Sequence, residues 1–280
     1  MFDNNPDLIQ DPQLAPWVKI APLVLIHDGG GTIFSYHCLG NIDRPLYGIS
    51  NPHYHSGATW EGGLPEMARH YAKLIKSVIP RGKLIIGGWS LGGLLSLEVA
   101  RILVDDPSIN LLGIIMIDSV YPRSLPSPVL PITQHVVEWS PYTRQETREK
   151  VTHCFAESSK MVRKWSLPNW GDEDSAAEDV HALRTATTST GNAGPPPVIL
   201  LRAEEAVPVN GDGVSRVDGY RDDRLLGWGN YRPDLITDVF DIPGHHFNIF
   251  VSDEHLGVVT GKIRKACRDL EMMAINDGLI

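Results

Sequence analysis

Lys83-Leu-Ile-Ile-Gly-Gly-Trp-Ser-Leu-Gly-Gly-Leu-Leu-Ser-Leu-Glu-Val-Ala100 is the stretch on which the fold turns. Residues 84–86 are apolar and read as a short buried strand. Residues 91–104 read as a helix, with apolar side chains at 91, 94, 95, 97, 99, 102 and 103. Between them lies Gly88-Trp-Ser-Leu-Gly92, a G-x-S-x-G pattern in the strand-turn-helix context that gives it chemical meaning. A strand that turns sharply into a helix needs small residues on both sides of the apex, and Gly88 and Gly92 leave room for a strained backbone at Ser90. The Ser90 hydroxyl then projects above the sheet, beside a helix N-terminus whose partial positive charge suits a developing oxyanion. The plainer alternative is a turn in which Ser90 only caps the helix.

Working outward, the strand and helix signals alternate. Leu23–Ile26 is apolar and runs into the glycine-rich His27-Asp-Gly-Gly-Gly-Thr32. Pro45–Ser50 reads as a strand and Leu64–Ile79 as a helix stopped before Pro80. Leu111–Ile117 is continuously apolar, as expected of a strand buried on both faces of a parallel sheet, and Asp118 follows it directly. Val198–Leu201 and Asp238–Ile242 are the last strands, and a helix over about Leu256–Met273 closes the chain. The expected architecture is α/β, a mostly parallel sheet with helices on both faces, in one domain over 1–280. Residues 1–20 read as a loose lead-in. Segment 121–197 interrupts the alternation, with helices expected near 143–166 and 175–187. It reads as a helical lid inserted between two strands; rigid structural cover is the other reading.

Composition narrows the function classes. The chain has 280 residues, 42% hydrophobic and 21% charged, ordinary for a globular protein with a large core. The formal charge of −9 argues against a nucleic-acid partner. No apolar run approaches the roughly 18–20 residues of a membrane span, and the acidic N-terminus lacks a signal-peptide pattern, so a cytoplasmic location is expected. Cys38, Cys154 and Cys267 are widely spaced, which fits a reducing compartment and neither a disulfide framework nor a zinc site. Gly29-Gly-Gly-Thr32 lacks the spacing and lysine of a phosphate-binding loop.

A serine hydroxyl becomes a nucleophile only with a base in hydrogen-bond reach and an acid that orients the base. Histidine suits the base role near neutral pH. Gly244-His-His-Phe247 follows the last strand and offers His245 and His246; the other histidines do not follow a late strand. Asp118 is the favoured acid, because it ends a strongly apolar run and so emerges at the sheet edge where ligands bind in open α/β sheets. Glu204 or Glu205, after the next strand, is the alternative. An oxyanion hole needs two convergent N–H groups, one from Leu91 and one from the 27–32 loop.

Taken together, His27–Thr32, Gly87-Gly-Trp-Ser-Leu-Gly-Gly93, Ile117-Asp-Ser119 and Gly244–Phe247 resemble the product-releasing thioesterase domains of fungal polyketide and non-ribosomal peptide synthases, within the α/β-hydrolase superfamily. Leu226-Gly-Trp228 adds to the likeness, which spans nearly the whole chain. The resemblance implies an α/β-hydrolase fold with a helical lid. Its Gly-x-His-Phe register selects His246 over His245 and supports Asp118 as the acid. It places the second oxyanion donor at Asp28 N–H, with Gly29 adjacent. It implies acyl transfer through an acyl-serine, then release by hydrolysis or by ring closure. The substrate would be a polyketide or related acyl chain on the phosphopantetheine of an acyl carrier protein. No cofactor of the enzyme's own is implied, and no metal.

A compact chain starting at Met1 reads as either a discrete enzyme acting in trans or an excised domain, with the discrete protein favoured. With a net charge of −9 there is no long-range attraction to an acidic carrier, so docking would need a local basic patch. Arg144, Arg148, Lys150, Lys160, Arg163 and Lys164 supply one within the lid. The rival readings are a carboxylesterase or lipase, an acyltransferase or cyclase with the same triad, and a non-enzymatic receptor on the same fold.

Overall fold

The structure, a computed structural model, describes residues 4–12, 20–123, 131–133, 139–170 and 194–278. Seven strands form one sheet: β1 (Asp7–Gln10), β2 (Leu23–Ile26), β3 (Leu46–Ile49), β4 (Gly82–Trp89), β5 (Ile109–Ile117), β7 (Val198–Ala203) and β9 (Ile236–Ile242). Their order is β1-β3-β2-β4-β5-β7-β9, with every neighbouring pair parallel except β1 against β3. A two-stranded parallel ribbon joins β6 (Ile132–Thr133) to β8 (Val214–Ser215). The lead-in is therefore not wholly loose. β1 pairs with β3 at the sheet edge, and Asn5 brackets Ser50 by bonding both its carbonyl and its N–H. Polar residues of an edge strand carry little hydrophobic signal, which explains why residues 1–20 read as unstructured.

The central strands are buried on both faces, and period-two alternation sends their side chains to two cores. Val24, Ile26, Leu84, Ile86, Ile114, Met116, Val198 and Leu200 face α2 (Gly63–Val78) and α3 (Leu91–Leu103). Leu23, Leu25, Ile85, Ile115, Ile117, Ile199 and Leu201 face the opposite side, with α1 (Phe34–His37) and α5 (Asp253–Asn276). Each fully buried Leu or Ile stabilises the fold by about 1.5–3 kcal/mol before entropy is counted. In α2, Leu64, Met67, Ala68, Tyr71, Ala72 and Ile75 make the apolar stripe that helical spacing predicts. In α5, Ser252 caps the N-terminus by accepting the His255 N–H.

Within segment 121–197, α4 (Gln145–Lys164) matches the helix expected near 143–166. The helix expected near 175–187 lies outside the described residues. A strap after α4 ties it to the body. Trp165 and Trp170 are buried in the α2–α3 core, Trp165 Nε1 donates to Glu98, and Tyr231 donates to the Pro168 carbonyl. Among the described residues no helix is long and apolar enough to cross a membrane.

Candidate active site

The turn from β4 to α3 places Ser90 at φ 55°, ψ −114°, a left-handed backbone that costs a non-glycine residue of order 1–3 kcal/mol. The Ser90 N–H donates to the Ile117 carbonyl across the sheet, which holds the apex against the end of β5. A side chain at Gly92 would come within 2.2 Å of the Ile26 carbonyl oxygen, so α3 can approach β2 this closely only with glycine there. Leu91 is the first residue of α3, and its N–H has no intrahelical acceptor.

Two other strand ends meet this apex. His246 follows β9 and Asp118 follows β5. Ser90 Oγ donates to His246 Nε2 at 3.0 Å, and His246 Nδ1 donates to Asp118 Oδ2 at 2.8 Å. The imidazole is buried between the Trp89 and Phe247 rings. The carboxyl of Asp118 is completely buried, which by itself would raise its pKa. Hydrogen bonds from His246 and Arg221 outweigh the burial and hold it well below the usual carboxylate range. Asp118 Oδ1 also accepts from the Ala203 N–H at 2.9 Å. His245 turns into its own loop, where its Nδ1 accepts the Phe247 N–H at 3.3 Å. Glu204 and Glu205 are exposed beyond the end of β7, so of the two candidate acid positions only Asp118 touches the imidazole.

The loop after β2 runs beside the Ser90 turn, and its peptide planes are pinned one by one. The Asp28 carbonyl accepts from His27 Nδ1 at 2.5 Å and from the Gly31 N–H at 3.1 Å. The Gly29 carbonyl accepts from Ser158 Oγ of α4 at 3.1 Å, and the Gly30 N–H donates to Asp28 Oδ1 at 3.1 Å. His27 is locked behind the loop by the Tyr71 hydroxyl, which donates to its Nε2 at 2.6 Å. Burial lowers the His27 pKa to about 4, so the ring is neutral at working pH and keeps this pattern. Burial pushes the Asp28 carboxyl up to about 6, partly offset by the Gly30 N–H. Helix α4 lies directly on this loop: a Cβ at Gly29 would sit 2.9 Å from Phe155 Cδ1.

A hydroxyl, an imidazole and a carboxylate in series, with a helix N-terminus at the nucleophile, can perform covalent acyl transfer. Comparison with known proteins agrees. A family model described as a thioesterase domain matches residues 21–135. A probable thioesterase, gloN, of Glarea lozoyensis is 34% identical, the match covering 97% of this chain and 99% of that protein. The chain belongs to the thioesterase family. This thioesterase is also 36% identical to the thioesterase frbE of a Dothideomycetidae species, over 95% of this chain and 96% of that protein. A match of 36% identity over 95% of this chain covers only 8% of the nonribosomal peptide synthetase imqB of Aspergillus flavus. Among solved structures, the thioesterase domain of NocB from the nocardicin cluster superposes with a TM-score of 0.60 at 24% identity, over 90% of this chain and 95% of that one, a likeness of fold. The α/β-hydrolase architecture expected from the motifs is thus the architecture of the thioesterase.

Three residues that contact the site of this thioesterase carry no signal in the linear sequence. Arg221 grips Asp118 with one terminal nitrogen on Oδ1 at 2.7 Å and the other on Oδ2 at 2.9 Å. Asp218 in turn accepts from Arg221 Nε at 2.9 Å. Ser158 of α4 holds the Gly29 carbonyl. None lies in a recognisable motif. Arg221 and Asp218 follow a glycine-rich stretch at 211–213 with no strand or helix signal, and a serine within an amphipathic helix is ordinary.

Proposed function

We propose that this thioesterase releases an acyl chain, polyketide or peptidyl, from the phosphopantetheine thioester of a carrier protein, using Ser90, His246 and Asp118 as its triad. The observation that carries the reading is the unbroken contact from Ser90 Oγ through the imidazole to a buried, ionised Asp118. As Ser90 Oγ attacks the thioester carbonyl, its proton passes to His246 Nε2. Asp118 stabilises the resulting imidazolium without taking a proton itself. The tetrahedral oxyanion is held by the N–H groups of Leu91 and of Asp28, with Gly29 next to it. Collapse breaks the C–S bond, the proton on His246 goes to the leaving thiolate, and an acyl-serine remains. Water, or a nucleophile within the acyl chain, then gives its proton to His246 and attacks the ester. Collapse returns a proton to Ser90 Oγ and frees an acid or a ring. Which of the two forms depends on how well α4 and the rest of segment 121–197 exclude water.

The decisive experiment is intact-mass detection of the acyl-enzyme. With a panel of N-acetylcysteamine thioesters, the native chain is expected to show an acyl adduct that maps to Ser90, and Ser90→Ala to show neither adduct nor turnover. Turnover surviving in Ser90→Ala would refute the triad. A simple oxygen ester run in parallel, if hydrolysed much faster than any thioester, would favour the esterase reading instead.

The same reading puts carrier docking at the exposed end of α4. Lys150 and Lys160 are paired to Glu146 and Glu157, both at 2.6 Å, and Arg148 donates to the Ser140 and Thr143 carbonyls. Arg163 and Lys164 are exposed and suit an acidic carrier better. Reversing both charges is expected to lower kcat/KM on carrier-bound substrate by about tenfold, with little change on a small thioester. An equal loss on both substrates would rule this docking face out.

A further inference from the structure

The grip of Arg221 on Asp118 raises a problem of charge. A guanidinium bonded to both oxygens of a buried carboxylate should weaken that carboxylate's support for an imidazolium, because the two cations compete for one anion. Asp218 resolves it. Its Oδ1 accepts from Arg221 Nε at 2.9 Å, and its Oδ2 is tied to the Val207 N–H at 2.7 Å. Arg221, Asp118 and Asp218 are all buried. Two carboxylates against one guanidinium leave the cluster with a single negative charge, which a proton on His246 brings to zero.

We propose that Asp218 and Arg221 are positioning residues for the triad: Arg221 fixes the Asp118 carboxylate in place, and Asp218 balances the Arg221 charge so that Asp118 remains free to support the imidazolium. The inference rests on the triad reading above. The geometry serves orientation as well as charge. Asp118 sits at φ 44°, and its side chain is held by Arg221, Ala203 N–H and His246 together. Arg221 is itself fixed by donating to the Ala203 carbonyl at 2.9 Å, and its own carbonyl accepts from Arg202 at 2.8 Å. The other groups that face His246 electrostatically are Asp28 in the loop after β2 and the adjacent His245, which itself faces Glu205, Asp218 and Arg221. Arg202 pairs with Asp241 at 3.0 Å, a carboxylate that Arg224 also reaches at 3.3 Å.

The test is the pH dependence of kcat/KM on a small acyl thioester, paired with an NMR titration of the His246 imidazole in the free enzyme. Asp218→Asn keeps the side-chain shape and removes one negative charge. The acid limb is expected to move to lower pH by about one unit, with a severalfold lower plateau and an unchanged KM. Arg221→Met removes the positive charge, and the limb is expected to move to higher pH by about as much. The double variant restores the native charge and is expected to bring the limb most of the way back. A merely structural pair would slow the enzyme without moving the limb in opposite directions. Should Arg221→Met not fold, Asp218→Asn decides the matter alone, and Asp218→Ser makes the same charge change if the amide is not tolerated. A folded, active Asp218 variant with an unmoved limb and imidazole titration overturns the inference and leaves the triad intact; turnover surviving in His246→Ala would instead sink the triad.

Discussion

His246→Ala is expected to lower kcat/KM on an acyl thioester by about 10⁴-fold or more, whereas His245→Ala stays within about tenfold. The two side chains are adjacent in sequence but differ in their hydrogen-bond partners. His246 is buried, receives the Ser90 hydroxyl on Nε2 and donates from Nδ1 to Asp118. Without it no group hydrogen-bonded to Ser90 Oγ among the described residues can take the proton, and no imidazolium forms for Asp118 to stabilise. His245 bonds within its own loop, through Nδ1 to the Phe247 N–H, while its backbone N–H donates to Asn248 Oδ1 at 2.7 Å. Its loss costs at most some rigidity in the turn that carries His246. Steady-state kinetics on purified variants, with far-UV circular dichroism to confirm folding, checks both halves. Greater damage from His245→Ala would mean that the other member of the pair is the base.

The second large effect concerns backbone geometry. Gly92→Ala is expected to destabilise the protein by about 3 kcal/mol and to slow labelling of Ser90 by a fluorophosphonate. The added Cβ would meet the Ile26 carbonyl oxygen at 2.2 Å and the His27 carbonyl oxygen at 2.9 Å, both of them backbone atoms of β2 and its following loop. Relief requires α3 and β2 to separate, and that displacement moves Leu91 N–H away from the Asp28 loop. Gly257 in α5 is the control, since nothing lies within 4 Å of its added Cβ. Gly257→Ala is expected to stabilise the helix by about 0.5–1 kcal/mol. Denaturant midpoints for the two variants should therefore move in opposite directions. Equal midpoints would mean that α3 does not press on β2 as closely as this geometry requires.

Much of this site is legible in the linear chain. Ser90, Asp118 and His246 each stand at or just beyond the end of an apolar strand, and a residue at that place in a parallel sheet emerges at one common edge. The choice between His245 and His246 needs the resemblance of Gly244–Phe247 to a family motif, because spacing alone serves either. Arg221, Asp218 and Ser158 are not legible in this way. Arg221 meets Asp118 across 103 positions of chain, and Ser158 meets Gly29 across 129, so neither contact leaves a local pattern. Asp218 is close to Arg221 in sequence, but its importance comes entirely from what Arg221 holds. The edge strand β1 escapes notice for a related reason, since its pairing satisfies backbone groups and leaves only a faint side-chain pattern.

Periodicity and glycine placement thus dictate which segments become strands and helices, and where the reacting hydroxyl must sit, because side-chain spacing and backbone strain are local properties. What the folded chain alone settles is how the charges are shared. A buried carboxylate takes its strength from every partner that replaces lost water, and those partners arrive from segments that nothing in linear order connects.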